Sequence, residues 1–351
     1  MNAGEPPAAL FRRLIATQGP ISLQQYMGEA NARYYAARDP LGSAGDFVTA
    51  PEISQMFGEL VGLWLADIWQ RAGSPSPVHY VELGPGRGTL AKDALRAAGR
   101  AGLTPTVHFV EASPALRAVQ RAALPHAQWH DDLAMVPDDA PLLIVANEFL
   151  DALPVRQLVK TADGWRERMV GIEAERFVPV SGALPMDAAV PAQWREARDG
   201  TILETCPGAA ATVQEIARRL AVQGGAALLI DYGHTETRTG STLQAVRAHA
   251  KVDPFATPGE ADLTALVDFA ALAPVAEAQG ARWLGTVTQG AWLRALGIDM
   301  RAEALTRAAP AQAEAVRQAH HRLVDAEEMG DLFKVMGLTA PDWPEGAGFA
   351  L

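Results

Sequence analysis

The chain is short of cysteine, of long apolar runs and of positive charge. Among its 351 residues Cys206 is the only cysteine, which excludes an intrachain disulfide and a cysteine-based zinc site. No apolar run approaches the roughly 20 residues that a membrane-spanning helix needs. The opening MNAGEPP lacks the basic start and apolar core of a secretory signal. The sequence therefore predicts a cytoplasmic protein of bacterial type, without membrane insertion.

Acidic residues outnumber basic residues in the sequence. The chain has 30 Lys and Arg against 41 Asp and Glu, a net charge of −11. This balance argues against a nucleic-acid partner, which would need a basic face, and it allows a basic protein or peptide partner. Because 49% of the residues are hydrophobic and 20% are charged, we expect a large core in one elaborated domain or two.

A glycine-rich turn is the feature around which the rest of the sequence is arranged. Residues 78–83 read as a short strand, which runs into Gly84, Gly86 and Gly88 before a helix begins. Without Cβ atoms such a turn lets backbone approach a ligand closely. The spacing differs from the G-x-G-x-x-G of dinucleotide sites, and Glu82 would repel a pyrophosphate. A carboxylate there suits the ammonium group of S-adenosylmethionine; the alternative is a tight turn in an ordinary α/β protein.

Strand and helix patterns alternate after the turn, which predicts an α/β protein with a mostly parallel sheet. The second strand ends in Glu111, at the position from which an acid reaches ribose hydroxyls in doubly wound folds. Trp129 precedes Asp131 and Asp132, and an aromatic beside acids there predicts an adenine site. The alternatives are an exposed strand-end carboxylate at Glu111 and a solvated acidic turn at the aspartate pair.

Polar residues follow directly after the most apolar strand, residues 142–146. These are Asn147, Glu148 and Asp151, and the next buried strand likewise closes on Asp231. Ligands of parallel α/β sheets bind beyond the carboxyl ends of the strands, so we expect these side chains beside the ligand crevice. The alternative is a purely structural loop.

The remaining stretches define the periphery. The turn-rich segment around Asp46 is either a loop over the ligand or a structural crossing loop. His234 and His249 lack a third ligand at suitable spacing, so no metal site is predicted. We expect residues 262–279 to be helical and residues 332–336 to form a final antiparallel edge strand.

Six motifs, spread over almost the whole chain, resemble the MidA family of class I S-adenosylmethionine-dependent methyltransferases. They are residues 45–52 (GDFVTAPE), 81–90 (VELGPGRGTL), 110–114 (VEASP), 147–154 (NEFLDALP), 230–233 (IDYG) and 288–290 (TQG). Only the second is general to methyltransferases. Leu150 departs from the family pattern, where a bulkier aromatic is expected.

The resemblance implies a Rossmann-like methyltransferase sheet with an N-terminal helical segment and two insertions. The implied divisions are residues 1–70 for the helical segment and covering loop, 71–154 and 205–351 for the core, and 155–204 and 234–262 for insertions that form a substrate-side subdomain. Eukaryotic relatives are located in the mitochondrial matrix. The mitochondrial member is understood to act in complex I assembly by methylating an arginine of a respiratory complex I subunit. A protein acceptor with an accessible arginine is therefore the implied partner, and the sequence leaves an oligomer open.

The roles that follow from residues and resemblance divide between cofactor and acceptor. For S-adenosylmethionine we expect Glu82, Gly84, Gly86 and Gly88 at the methionine moiety, Glu111 at the ribose, Asp131 or Asp132 at the adenine, and Asp46 in the covering loop, with Asn147 as a further cofactor contact. For the acceptor we expect Glu148 first, then Asn147, Asp151 and Asp231, with Glu204 as a further acid. The rival functions are a non-catalytic assembly chaperone that keeps the fold and a methyltransferase of small molecules; a nucleotide-dependent dehydrogenase fits the glycine spacing least.

Overall fold

The structure is a computed structural model that describes residues 5–37, 49–247 and 250–349. Two residues named above, Asp46 and His249, lie outside these ranges. Across the described ranges, no helix combines the length and the apolar character needed to cross a bilayer.

Helices and strands alternate along much of the chain. The helices are α1 (Pro7–Gln18), α2 (Leu23–Ala37), α3 (Ala50–Ile53), α4 (Gln55–Arg71), α5 (Thr89–Arg100), α6 (Pro114–Ala123), α7 (Pro207–Gln223), α8 (Phe269–Ala278), α9 (Gln289–Ala295), α10 (Ile298–Ala308), α11 (Ala313–Val324) and α12 (Met329–Leu332). The strands are β1 (Ile21–Ser22), β2 (His79–Leu83), β3 (Thr106–Val110), β4 (Gln128–His130), β5 (Leu142–Asn147), β6 (Arg156–Thr161), β7 (Gly164–Glu173), β8 (Arg176–Pro185), β9 (Ile202–Thr205), β10 (Gly225–His234), β11 (Gln244–Arg247), β12 (Ala250–Val252), β13 (Asp262–Thr264), β14 (Val267–Asp268), β15 (Arg282–Thr288) and β16 (Phe333–Thr339).

The chain forms two compact units. The smaller unit consists of Met1–Arg38, Asp151–Ala209 and Glu236–Asp268, and the larger unit of Asp39–Leu150, Ala210–Thr235 and Phe269–Leu351. Most residues of the two insertions predicted from the sequence belong to the smaller unit.

The smaller unit is built on antiparallel pairing. One of its sheets has the order β1-β7-β6-β9, with β8 also paired to β7, and another has the order β12-β11-β13. Its core contains Phe11, Tyr26 and Phe177, with ring centroids 4.8 Å apart for the first pair and 6.1 Å for Phe11 and Phe177. Offset and edge-on aromatic contacts of this kind stabilise a core beyond the area they bury.

The larger unit contains a mostly parallel sheet, which confirms the predicted α/β class. Its strands lie in the order β15-β16-β10-β5-β2-β3-β4, and β10, β5, β2, β3 and β4 pair in parallel. The residues of β5 are all buried, as expected for a central strand with both faces covered. The apolar run at residues 142–146 is explained by this position.

The last strand corrects one prediction. Residues 332–336 were expected to form an antiparallel edge strand, but β16 lies between β10 and β15 and is antiparallel to both. β16 is therefore an internal strand. Because it is antiparallel to both neighbours, β15 runs in the same direction as β10 and the other parallel strands. The apolar character of β16 gives no sign of its number of neighbours, because an edge strand with one covered face can be equally apolar.

Residues 262–279 are a second correction. They were predicted to be one helix, but they contain β13 and β14 before α8 begins at Phe269. Alanine and leucine are common on this stretch, so the composition resembled that of a helix, whereas pairing of β13 with β11 decides the structure of its first part.

Close helix packing fixes the element that follows the glycine turn. A Cβ atom at Gly62 of α4 would come within 2.1 Å of the carbonyl oxygen of Ala94 of α5, and one at Gly58 within 2.7 Å of Asp93 Cβ. The two glycines therefore let the backbones of α4 and α5 approach each other. As α5 begins at Thr89, this contact also holds the end of the turn in place.

Candidate active site

The strand register brings the predicted polar positions to one edge of the parallel sheet. Leu83 pairs with Val110 and with Ala146, Val110 pairs with His130, and Ile230 pairs with Asn147. The residues that follow these positions include Gly84, Glu111, Asp131, Glu148 and Asp231. Gly84, Glu111, Asp131 and Glu148 directly follow the ends of their strands, and Asp231 lies within β10 at the same level. The carboxyl ends of parallel strands are the place where ligands bind in α/β sheets.

The glycine turn adopts a conformation that other residues rarely take. Gly84, Gly86 and Gly88 have φ angles of 62°, 54° and 81°. At Gly84 a Cβ atom would also lie 2.8 Å from Cδ2 of Phe149. Positive φ and this close approach both require glycine, so the turn presents bare backbone at the edge of the sheet.

A pocket at this edge combines the glycine turn with two of the predicted acids. Of the predicted residues it contains Glu82, Gly84, Gly86, Asn147 and Glu148. Its other lining residues are Thr49, Pro51, Glu52, Pro85, Arg87, Thr89 and Leu90. The lining of this pocket, as the described residues form it, does not include the other predicted residues, which are Gly88, Glu111, Asp131, Asp132, Asp151 and Asp231.

Glu82 is buried, with 2% of its surface exposed. The hydroxyl group of Tyr80 donates a hydrogen bond of 2.6 Å to its Oε2 atom. Burial raises the pKa of the Glu82 carboxyl to about 8, against the opposing effect of the Tyr80 hydrogen bond. A carboxyl group with this pKa gains a proton easily, and a cation in the pocket would favour its ionised form.

Asn147 and Glu148 have two features that bear on ligand binding, a strained backbone and a buried acceptor. Glu148 has a φ of 52°, a strained conformation for a residue with a side chain. Its Oε1 atom accepts hydrogen bonds of 3.1 Å from the backbone N–H of Ala50 and from Nδ2 of Asn147. Oδ1 of Asn147 is buried and has no hydrogen-bond partner among the described residues. A buried acceptor in a pocket without a donor is expected to meet one on a ligand.

Asp231 holds the backbone that carries these groups. Its Oδ2 atom accepts hydrogen bonds from the backbone N–H groups of Phe149 and Leu150, at 3.2 Å and 2.9 Å, and its Oδ1 accepts one of 2.9 Å from Tyr232. The side chain is 1% exposed. These hydrogen bonds hold the loop after β5 in place, and we call this arrangement the Asp231 clamp.

Glu111 is half-buried and held on both oxygens. Oε1 accepts a hydrogen bond of 2.7 Å from the backbone N–H of Ser113, and Oε2 accepts one of 3.2 Å from Nε2 of Gln120. Burial raises the pKa of Glu111, while these hydrogen bonds act in the opposite direction. Gln120 was missed in the sequence. The available signal was a polar residue four positions after Leu116, in the buried stripe of α6.

The two aspartates assigned to adenine are exposed and occupied with local contacts. Asp131 forms an ion pair with Arg117, whose guanidinium also donates to the backbone carbonyls of Glu111 and His130. Asp132 accepts a hydrogen bond of 2.8 Å from the N–H of Ala134 and caps a short 3₁₀ turn. Their contact with adenine stays a prediction.

Asp151 and Glu204 belong to the smaller unit. Asp151 is buried, and its backbone carbonyl accepts a hydrogen bond of 3.0 Å from Ala265. Burial, with the nearby carboxylates of Asp262 and Asp151, raises the pKa of Tyr35 well above its usual value. Glu204 accepts hydrogen bonds from the side chains of Gln157 and Thr242, which suits an anchor for the insertion better than a ligand for an acceptor.

The fold and the pocket define a Rossmann-like α/β protein with a glycine turn at the carboxyl edge of its sheet. The model of the family described as "Putative S-adenosyl-L-methionine-dependent methyltransferase" matches residues 60–287. A crystal structure from Burkholderia thailandensis with S-adenosyl-homocysteine bound aligns with a TM-score of 0.85 and 30% identity, over 98% of this chain and 94% of that one.

Curated relatives match over nearly the full length. The protein arginine methyltransferase NDUFAF7 of Homo sapiens, named as mitochondrial, is 36% identical over 96% of this chain and 84% of its own length. The protein of the same name from Danio rerio is 38% identical over 93% and 84%. The chain belongs to this family of S-adenosylmethionine-dependent methyltransferases, as the resemblance predicted, and its cofactor is S-adenosylmethionine.

Proposed function

We propose that this protein transfers a methyl group from S-adenosylmethionine to an arginine side chain of a protein acceptor. One observation carries the proposal: a single pocket contains the glycine turn, the buried Glu82, the unsatisfied Oδ1 of Asn147 and the carboxylate of Glu148. The carboxyl groups of Glu82 and Glu148, with the amide oxygen of Asn147, suit two cationic ligands, an ammonium and a guanidinium.

The cofactor half of the pocket fits the methionine moiety. Glu82 can accept from its ammonium group, and Oδ1 of Asn147 supplies an acceptor that the described residues leave unused. Arg87 also lines the pocket, and its charge suits the carboxylate of an amino acid. Gly84 and Gly86 line the pocket with positive φ angles, so backbone and not side chain forms this part of its wall.

Glu148 is assigned to the acceptor. A guanidinium is held most strongly by a carboxylate through charge-assisted hydrogen bonds. An arginine guanidinium stays protonated at neutral pH, so one of its nitrogens must lose a proton before or as it becomes a nucleophile. A carboxylate oxygen of Glu148 can orient the guanidinium and accept that proton.

The chemistry needs alignment more than it needs a strong acid or base. When bound, S-adenosylmethionine supplies a methyl group on a positively charged sulfur. The pocket residues Glu82, Asn147 and Glu148 contribute by holding both ligands in line and away from competing water. The strained backbone at Glu148 and the clamp by Asp231 fix the direction of that carboxylate.

The partner and the location are part of the proposal. The names of the relatives, protein arginine methyltransferases, support a protein acceptor, and the family resemblance favours a respiratory complex I subunit. We propose a cytoplasmic location, as inferred from the sequence. The smaller unit, with most of the two insertions, is proposed to serve the substrate side.

The test is a deletion strain complemented with wild-type protein or with Glu148→Gln. Mass spectrometry of respiratory-chain subunits should find an arginine whose methylation is lost in the deletion strain and restored by the wild type alone. Glu148→Gln keeps an oxygen for the Ala50 N–H but loses the charge. Purified Glu148→Gln should still bind S-adenosylhomocysteine in calorimetry.

Glu277→Gln serves as a matched control, because this glutamate is exposed on α8. It should restore methylation fully. Restored methylation by Glu148→Gln would remove Glu148 from the mechanism. An unchanged arginine methylome in the deletion strain, with cofactor binding intact, would replace arginine by a small-molecule acceptor.

A further inference from the structure

Gln120 makes three hydrogen bonds in the larger unit, and it is completely buried. Its Nε2 atom donates to the carbonyl oxygen of Gly86 at 2.7 Å and to Oε2 of Glu111 at 3.2 Å. Its Oε1 atom accepts from the indole N–H of Trp129 at 2.8 Å. One side chain thus connects the glycine turn, the acid after β3 and the aromatic residue of β4.

The orientation of this amide is fixed by its neighbours. An indole N–H can only donate, so Oε1 must face Trp129. A backbone carbonyl can only accept, so the NH₂ group must face Gly86 and Glu111. Turning the amide over would break all these contacts, and Gln120 therefore holds one arrangement.

Gln120 also leaves Glu111 with accepting capacity. An ionised carboxylate has about four lone-pair positions. The N–H of Ser113 donates to Oε1, Gln120 donates to Oε2, and the backbone of Ala112 also hydrogen-bonds to the carboxylate, which still leaves it accepting capacity. Ribose hydroxyls need an acceptor, and a carboxylate fixed in this way can supply it.

Trp129 is in turn held from other sides. Its ring lies edge-on to Phe109, with centroids 6.0 Å apart, and the guanidinium carbon of Arg121 lies 4.8 Å from its centroid. Arg121 and Gln120 are neighbours in α6. One helix therefore covers the indole and receives its hydrogen bond.

We propose that Gln120 is a positioning residue for the cofactor, which sets the glycine turn against the carboxylate of Glu111 and keeps that carboxylate ready to accept the ribose hydroxyls. The inference rests on the proposed cofactor contacts of Glu111 and the glycine turn. It assigns to α6 a role in binding the nucleoside end of the ligand, through the carboxylate of Glu111.

A double-mutant cycle on S-adenosylhomocysteine binding tests the proposal. Gln120→Met keeps the side-chain length and removes the hydrogen bonds. Because the carboxylate of Glu111 is then no longer held toward the ribose, the dissociation constant should rise about tenfold, which corresponds to about 1.4 kcal/mol. Glu111→Gln should weaken binding similarly. If Gln120 acts through Glu111, the double variant should bind within about threefold of Glu111→Gln alone.

A merely structural role gives a different result. It predicts that the two losses multiply in the double variant, and that outcome overturns the proposal, as does a dissociation constant of Gln120→Met within twofold of wild type. Gln128→Met on β4 is the matched control, since Gln128 is exposed, and it should bind as wild type.

Trp129→Phe provides a second variant should Gln120→Met not fold. It keeps an aromatic ring and removes the N–H that orients Gln120. Binding should weaken several-fold in the wild-type background and change little beside Glu111→Gln; an equal loss in both backgrounds overturns the proposal. Absence of binding by the wild type would instead count against the proposed cofactor site. Because every readout here is ligand binding, the test does not depend on whether arginine is the acceptor.

Discussion

The hydroxyl group of Tyr80 donates a 2.6 Å hydrogen bond to Oε2 of Glu82, the buried carboxyl two residues ahead of the glycine turn. Both residues lie on β2, two positions apart, and so point to the same face of the sheet. Burial raises the pKa of Glu82 to about 8, and the Tyr80 hydrogen bond limits that rise. The pair therefore sets how readily the pocket can present a negative charge.

Cofactor binding should release a proton at neutral pH. With a pKa of about 8, Glu82 is largely protonated in the free protein at pH 6.5. An ammonium group beside it favours the ionised form, so the proton leaves on binding. Affinity for S-adenosylhomocysteine should rise with pH by up to about tenfold per unit and level off above the pKa of the free protein.

Calorimetry in two buffers of different ionisation enthalpy measures this proton. At pH 6.5 we expect the release of close to one proton per ligand, and Glu82→Gln should abolish the release and weaken binding. Equal apparent enthalpies in both buffers for the wild type would contradict the assignment of Glu82 to the ammonium group.

Tyr80→Phe should shift this pH dependence upward. The phenylalanine removes the donor that favours the carboxylate, so the pKa of Glu82 should move further above its usual value. Binding at pH 7 should weaken by about tenfold and recover at higher pH, since a hydrogen bond to a charged group contributes about 1.5–3 kcal/mol.

The measurement is the pH profile of the dissociation constant. Tyr26→Phe is the matched control, because Tyr26 is also buried and donates a 2.8 Å hydrogen bond, to the carbonyl oxygen of Pro254 in the smaller unit. It should lose stability without moving the profile. If the pH profile of Tyr80→Phe coincides with that of the wild type, the Tyr80 hydrogen bond does not control the ionisation of Glu82, and this prediction is wrong.

Asp231→Asn should separate turnover from cofactor binding. The carboxylate accepts from the backbone N–H groups of Phe149, Leu150 and Tyr232, and an amide has one oxygen in place of two. An N–H group left unsatisfied in a buried position costs about 1–3 kcal/mol. We expect a loss of stability in that range. We also expect a lower kcat, because Glu148 directly precedes Phe149 in the loop that Asp231 holds.

Urea denaturation, calorimetry with S-adenosylhomocysteine and methylation assays together check this prediction. Binding should stay within a few-fold of wild type, whereas Asp131→Asn, on the surface, should leave stability unchanged. Wild-type stability of Asp231→Asn would show that the clamp contributes nothing to the loop.

Sequence patterns were most informative where the residues of interest are consecutive. The glycine turn with Glu82, and Asn147 and Glu148 after an apolar strand, line one pocket, and their roles there stay predictions. The function of Asp231 as a clamp was out of reach, because it depends on which backbone N–H groups lie across the sheet from β10. Gln120 was missed for the same reason: its partners come from three other segments.

Three histidines illustrate this limit. His79, His108 and His130 stand on β2, β3 and β4, and nothing in their local sequence connects them. In the structure His79 Nδ1 lies 3.0 Å from His108 Nε2, and His108 Nδ1 lies 3.0 Å from His130 Nε2. His79 Nε2 lies 2.8 Å from Oδ1 of Asp139. Parallel pairing of the three strands brings the three histidines into one row of hydrogen-bonded rings, the histidine chain.

The histidine chain should make the stability of the protein sensitive to acid. If Asp139 accepts from His79, each neutral ring can donate to the next and accept from the one behind. Burial, then His79 and His130, lowers the pKa of His108 to about 4, with Arg219 acting in the same direction. Burial and Arg117 also lower the pKa of His130. Protonation of His108 would disrupt the alternation of donors and acceptors.

The sign of the pH dependence follows from the two states. Well above about pH 6.5 His108 is neutral in both the folded and the unfolded chain, and its contribution to stability is complete. Between that pH and about 4 the unfolded chain gains a proton that the folded one excludes, so the free energy of unfolding falls with falling pH. The shift corresponds to at most about 3 kcal/mol.

His108→Gln isolates this contribution. A glutamine can donate to His79 and accept from His130, but it does not titrate. Urea denaturation at several pH values from 7.5 to 4.5 should give a wild-type stability that falls more steeply than that of the variant. Since Glu82 and the surface carboxylates titrate in both proteins, their contributions cancel in the difference. Parallel curves would mean that the histidine chain accepts a proton at no cost in the folded state, and the lowered pKa of His108 would then be wrong.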